Sequence, residues 1–433
     1  MKVAFACYDG PDEVGGVSSW LRRLLPRLQA AGFAVEAHVT AAGGQPGVNC
    51  ARFAADGVPF QWVPWMTDMP GAVRAHLRLL AQSQPDVYVP NCVLPAFYAA
   101  GYARQQGIPT VGVMHSDDAF YWGMVDEFVN GLERFRLSAL VAVSAFMEEA
   151  VRPLAVNRLA LHRIGCGVPV PGQTAAAPGD VFRLVYIGRL VEEQKRASEV
   201  ARALCAAVAH VPGVEAWIVG EGPARSDVER IVRESPPADP ERVRLLGRVD
   251  NHQIYSVLQE CHALVLLSDY EGLPVSVMEA MAAGVVPICL EVRSGVHELV
   301  QSGVNGLLVR DRGADFVAGV RRLRDNPEQW RRLSVAARQT IAETYSLEAC
   351  AARWADVLHS LRPSRAPQLP FRPPRWLRLP PPNPKFGPLL EPRLQVMELS
   401  WPRRWRFRLG KVRRTLYARL VKGGRRLARP TVG

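Results

Sequence analysis

Two glutamates stand eight residues apart in the stretch DYEGLPVSVMEAMAAG, Asp269–Gly284, with a glycine, a proline and an apolar run between them. Gly272 is conformationally free, and Pro274 can start a helix without wasting an N–H donor. Glu271 then lies just ahead of a helix and Glu279 about two turns inside it. The N–H groups within 272–275, where Pro274 itself has none, would form an anion or hydroxyl site. A carboxylate beside that site repels phosphate and accepts hydrogen bonds from sugar hydroxyls. One deeper in the helix can hold a ribose diol, as the acidic residue of dinucleotide folds does. Ala280, Ala282, Ala283 and Gly284 are small enough for the helix to lie close to a sheet. Taken alone, one glutamate here is only the charged first turn of an ordinary helix.

Other chemistry-bearing residues also follow apolar, strand-like runs. After RLVYIG comes GRLVEEQKR, with Arg189 and Lys195 six residues apart. An arginine can grip phosphate oxygens in a fork and a lysine adds a movable point charge; the bland alternative pairs both with Glu192 and Glu193. Gly220, Gly222 and Pro223 read as a plain strand–turn–helix connection. In DEVGGVSSWLRRLL, Gly15 and Gly16 separate a first strand from its helix, which is not the full dinucleotide glycine fingerprint but does permit close backbone approach. TVGVMHSDD ends at His115, and Asn91 and Ser144 also end runs, the serine as a helix cap. Asp117 and Asp118, adjacent on one loop, are poor metal ligands; Asp117 could instead serve an acceptor.

These residues need a scaffold, and positions 1–360 supply one. Ten short apolar runs (KVAFACY, AVEAHVT, PDVYVP, PTVGVM, ALVAVS, RLVYIG, EAWIVG, RVRLLG, HALVLLS and VVPICL) alternate with amphipathic helical stretches. That alternation is the pattern of parallel, doubly wound α/β sheets. It pauses in GCGVPVPGQTAAAPGD, Gly165–Asp180, the best linker in the chain. Two Rossmann-like domains are expected, at 1–171 and 172–345, with a closing amphipathic helix at 346–361. Ligands in such sheets sit beyond the carboxyl ends of the strands, so two facing sheets make a cleft lined by the loops named above.

At this point the residues carry a resemblance. EGLPVSVME resembles the paired-glutamate signature of family four retaining glycosyltransferases of the GT-B fold. GVHELVQSGVNGLLV, Gly295–Val309, resembles that family's following segment, and GRLVEEQK its phosphate-binding strand end. The resemblance spans nearly all of 1–360. It implies a metal-independent hexosyltransferase that uses a nucleotide diphosphate sugar as donor and no cofactor. Arg189 and Lys195 would hold the diphosphate and Glu279 the ribose. Glu271 would contact the transferred sugar or its phosphate region, His115 would lie near the reacting sugar, and Val249 where a loop flanks the base. Gly15 and Gly16 would touch the donor from the opposite domain. Three positions depart from the pattern: Cys166 stands where asparagine is common, Pro169 where aspartate is, and Arg196 where glycine is usual. Catalysis is thus expected from His115, Glu271, Arg189 and Lys195. The donor site adds Gly15, Gly16, Val249, Gly272, Leu273, Pro274 and Glu279, and no metal site is expected. A nucleotide-sugar epimerase, a phosphorylase and an inactive scaffold of the same fold are the rival readings.

The formal charge of +12 is a property of one end. Residues 361–433 hold 19 Lys/Arg and two Asp/Glu, leaving 34 basic and 39 acidic residues in 1–360. The tail, 362–433, begins Pro-rich and is expected to be extended and unpacked. Beyond it, Trp405, Leu409, Val412, Leu416 and Leu420 recur at helical spacing among arginines. Residues 401–429 therefore read either as an amphipathic helix on an anionic membrane or as a solvated basic tail. Nucleic-acid binding gains little, because no recognition module accompanies the charge. The acceptor is expected to be a hydroxyl, and a lipid-linked or cell-envelope glycan suits the tail. Eight scattered cysteines without metal or redox spacing fit a reducing cytoplasm, peripheral at the inner face of a membrane if the tail binds there. The opening MKVAFACYDG reads as a strand and not a signal peptide, and no run is long enough for a transmembrane helix.

Overall fold

The computed structural model describes residues 1–10, 15–155, 159–235, 241–250, 253–361, 370–381 and 383–386. Residues 1–381 form one compact unit and 382–433 a second. The expected helix at 401–429 lies outside the described residues.

The first half alternates strand and helix as β1 (Lys2–Asp9), α1 (Gly16–Ala30), β2 (Ala34–Ala41), α2 (Val48–Ala55), β3 (Phe60–Pro64), α3 (Met69–Ser83), β4 (Val87–Asn91) and α4 (Leu94–Gln105). It continues with β5 (Thr110–Met114), α5 (Ala119–Phe128), β6 (Ala139–Ala142), α6 (Ala145–Val151) and β7 (Ala160–Arg163). All pairings are parallel, in the order β3-β2-β1-β4-β5-β6-β7. The second half runs β8 (Phe182–Ile187), α7 (Ala197–His210), β9 (Val214–Val219), α8 (Arg225–Glu234), β10 (Val243–Gly247), α9 (Ile254–Gln259), β11 (Ala263–Leu266), α10 (Val275–Ala282) and β12 (Val286–Leu290). After α11 (Val296–Leu299) and β13 (Leu307–Val309) come α12 (Ala314–Asp325), α13 (Pro327–Thr344) and α14 (Leu347–Ser360). The order β10-β9-β8-β11-β12-β13 repeats the first sheet's winding.

The central strands are buried on both faces, which is why they read as unbroken apolar runs. The sequence reading finds ten strands, and the described residues form thirteen. The three extra ones, β3, β7 and β13, are all at sheet edges. β3 and β7 are half-exposed, and β13 is only three residues long. An edge strand covered on fewer sides needs no continuous apolar run.

Two crossings return the chain to the first sheet. Val168, in the linker, is pinned to the start of α14: its N–H donates to Tyr345 O at 3.1 Å and its carbonyl accepts from Leu347 N at 3.0 Å. Trp354 of α14 then packs at 5.8 Å from both Phe5 and Trp20. The second crossing corrects the expectation of an unpacked Pro-rich segment. Residues 370–381 lie against the C-terminal ends of α3 and α4. Gln84 and Gln106 each bond a single residue of the strap through both side-chain amide groups, the oxygen accepting from its N–H and the nitrogen donating to its carbonyl. Gln84 takes Phe371 at 2.7 and 3.0 Å; Gln106 takes Arg372 at 3.0 and 2.8 Å. Tyr102 Oη receives the Arg378 N–H at 2.9 Å, and Phe371 is buried. A proline-rich chain stays extended and carries few N–H groups, so side chains can satisfy those it has.

Candidate active site

In each sheet the winding reverses beside the first strand: β1 lies between β2 and β4, and β8 between β9 and β11. Adjacent loops diverge there and leave a crevice. Gly15 and Gly16 follow β1, Asn91 ends β4 and His115 follows β5. Arg189 and Lys195 follow β8, and Glu271 to Pro274 lie between β11 and α10. The loops of the two halves touch. A Cβ on Gly272 would lie 2.2 Å from the His115 carbonyl oxygen, so only glycine allows this approach. A Cβ on Gly16 would be in ordinary contact with Val275 at 3.6 Å. Gly15 stands at the N-cap of α1 with an extended backbone, and Pro274 is the N-cap of α10, one position earlier than a first helical residue.

The charged residues meet as pairs. Lys195 Nζ lies 2.5 Å from Glu271 Oε1, with 12% and 8% of the two side chains exposed. Gln194 Nε2 donates to Tyr270 O at 3.0 Å and reaches Glu271 Oε2 at 3.4 Å. Arg189 is exposed and donates to Gln194 Oε1 at 3.4 Å, so one glutamine links it to the lysine–glutamate pair. Neither cation makes an ion pair with Glu192 or Glu193; Glu192 instead caps Ser198. Arg196 has φ +51°, which explains why glycine is usual at that position, and it pairs with Glu199.

His115 Nε2 is 2.8 Å from Asn91 Oδ1. Its ring meets Trp20 edge-on at 4.9 Å and Tyr121 at 6.0 Å. Burial pushes its pKa down to about 3, so the imidazole is neutral at physiological pH. Asn91 holds this geometry from a left-handed backbone, φ +51°, and its Nδ2 is buried without a partner. Such a conformation at a strand end marks a constrained site. Asp118 caps α5 through Tyr121 N, Asp117 accepts from Trp122 Nε1 at 2.6 Å, and Ser144 caps α6 through Met147 N. Among the described residues, no group of three or more His, Cys, Asp or Glu side chains could hold a metal ion.

Glu279 is buried, and its Oε1 lies 2.6 Å from Arg23 Nη2 of α1. Leu273 is buried beside Gly165. Val249 is half-buried in the loop after β10; its neighbour Asp250 lies 3.6 Å from Arg52 of α2. Sequence reasoning missed Arg23. In WLRRLL it is one helix arginine among several, and only the partner it meets across 256 positions singles it out.

Two facing doubly wound sheets with basic and acidic strand-end loops at their crevices define the architecture of sugar-transferring enzymes of the GT-B type. Residues 14–170 match the family model described as Glycosyltransferase Family 4, and residues 181–326 match that of Glycosyl transferases group 1. Both matches are to glycosyltransferase families, and together they support a glycosyltransferase of group 1. It is 26% identical over 414 residues to a glycogen synthase of Mycobacterium tuberculosis, covering 85% of this chain and 97% of that protein. It is also 26% identical over 287 residues to a lipopolysaccharide core biosynthesis glycosyltransferase of Rhizobium meliloti, covering 65% and 77% respectively. The crystal structure of Anabaena HepE in complex with UDP and glucose superposes with a TM-score of 0.67 at 17% identity, covering 83% of this chain and all of that one.

Proposed function

We propose that this chain moves a sugar from a nucleoside diphosphate sugar to a hydroxyl acceptor, with retention of anomeric configuration and without a metal ion. The observation that carries the reading is the buried Lys195–Glu271 pair, with Arg189 one glutamine away, at the mouth of the second sheet's crevice. Cleavage of the sugar–phosphate bond leaves negative charge on the diphosphate and an oxocarbenium-like sugar. In this reading Lys195, Arg189 and the N–H groups that open α10 neutralise that charge, which the convergence of the two cations on the loops after β8 and β11 supports. One preorganised donor of this kind is worth about 3–4 kcal/mol of barrier. Glu271 exchanges part of its bond to Lys195 for the sugar's hydroxyls. Neutral His115 carries no charge to repel the oxocarbenium and can hydrogen-bond a sugar hydroxyl. No side chain is assigned as nucleophile; the leaving phosphate takes the acceptor's proton on the same face. Contact between the loops of the two halves excludes water from the reacting centre.

The Anabaena structure, which holds UDP and glucose, supports the donor class. The glycogen and lipopolysaccharide relatives support a glycan acceptor, including an envelope or lipid-linked one. A thermal-shift series with UDP, GDP, ADP and their sugars tests the donor, since a ligand that binds only the folded state raises the melting temperature. Product anomers then report retention, and EDTA the metal. A panel with no shift, an inverted product, or activity abolished by EDTA each removes the corresponding part.

A further inference from the structure

The strap at 370–381 buries Phe371 but leaves Trp376 74% exposed, the most exposed large apolar side chain among the described residues. Arg372, Arg375 and Arg378 are exposed around it, and the Arg375 guanidinium lies 5.8 Å from the Trp376 ring centroid. None of the three arginines makes an ion pair among the described residues. The support beneath has the same sign. Helices α3 and α4 contain Arg74, Arg78 and Arg104 and no Asp or Glu. No acidic residue occurs between Asp356 and Glu391. The strap and its two helices thus carry six arginines and no carboxylate, although 1–360 is acidic on balance. Bonds from Gln84, Gln106 and Tyr102 fix the strap's backbone, so ring and charges are presented with little further ordering cost. A tryptophan held outward among arginines matches the boundary of an anionic bilayer. There the ring enters a partly apolar layer and the cations meet lipid phosphates.

We infer that the strap is a docking surface for an anionic lipid bilayer, with Trp376 in the headgroup layer and Arg372, Arg375 and Arg378 on the lipid phosphates. This depends neither on the donor reading above nor on residues 401–429. The strap meets the C-terminal ends of α3 and α4, which lead into the amino ends of β4 and β5. The crevice lies at the opposite, carboxyl ends of the strands, so docking leaves it open to donor and acceptor.

The test is flotation of the full chain with vesicles of phosphatidylcholine alone and of phosphatidylcholine with one-third phosphatidylglycerol. The intact protein is compared with Trp376→Ser and with Arg375→Gln combined with Arg378→Gln. All three side chains are exposed, so the melting temperatures should not move. The intact protein should bind the anionic vesicles and not the neutral ones. One basic residue at such a surface is worth about fivefold in partition, so the double arginine variant should lose at least about tenfold. Trp376→Ser should lose several-fold. Separate contacts multiply in a partition constant, so any binding by 401–429 does not mask these losses. Partition unchanged in either variant, or no binding of the intact protein to anionic vesicles, overturns the inference. So does a dimer in sedimentation that Trp376→Ser dissolves while vesicle binding is absent, which would give this face to a second copy of the chain.

Discussion

At the scale of single residues, the site is held by pairs whose partners lie far apart in sequence. Lys195 and Glu271 are mostly buried, so removing one strands the other's charge, a loss of about 3–5 kcal/mol. Lys195→Met should lower stability by about that amount, whereas Lys195→Met with Glu271→Gln should recover most of it. Urea midpoints of the two variants check this, and a double variant no more stable than the single one would contradict it. Turnover should fall at least tenfold in both. Arg196 sits in a left-handed conformation that costs a non-glycine residue about 1–2 kcal/mol. Its exposed pair with Glu199 returns little, because solvent screens it. Arg196→Gly should therefore be neutral or slightly stabilising, measured by the same midpoints. The types and spacing of Arg189, Lys195 and Glu271 were legible because each follows a strand, and that of Glu279 because the Gly-Pro start places it inside the next helix. Arg23 was not, because nothing local separates it from Arg22 or Arg27.

At the scale of elements, the closing helix and the strap tie the end of the chain to the first sheet. Trp354 is 1% exposed against Phe5 and Trp20, and Trp354→Ala should cost about 3–5 kcal/mol, read from thermal or urea unfolding. The strap depends on two glutamines rather than on apolar burial, Phe371 apart. Gln84→Ala combined with Gln106→Ala should loosen the strap enough for trypsin to cut after Arg375 and Arg378 well before the sheets are cut. An unchanged order of cleavage would mean that Phe371 and Tyr102 suffice. Proline content suggested an unpacked segment, because composition reports what a chain cannot do by itself and not which neighbours will satisfy it. The edge strands β3, β7 and β13 escaped the sequence reading for a related reason, although the edge strand β10 did not: their burial comes from one side, and alternation over three to five residues is too short to register.

At the scale of the whole molecule, charge and burial set the response to acid. Burial holds His38, His76 and His115 down to about 3, and His262 to about 4. The unfolded chain takes up these protons near pH 6.5, whereas the folded one resists them until about 3 to 4. Stability from these groups is thus fully present above about pH 6.5 and is lost as the pH falls from there toward 3. Urea midpoints should be flat with respect to these groups above neutrality and fall steeply below it. His38→Leu should make the acid limb shallower, since both ring nitrogens of His38 are buried without partners. Sequence by itself determined the doubly wound sheets and which residues stand at the strand ends, because strand period, apolar runs and turn chemistry are local properties. Tertiary structure alone decided that Arg23 meets Glu279, that Gly272 backs onto His115, and that the strap returns to α3 and α4. Those contacts depend on how the two halves and the end of the chain come together, and no periodicity encodes the partner of a side chain hundreds of positions away.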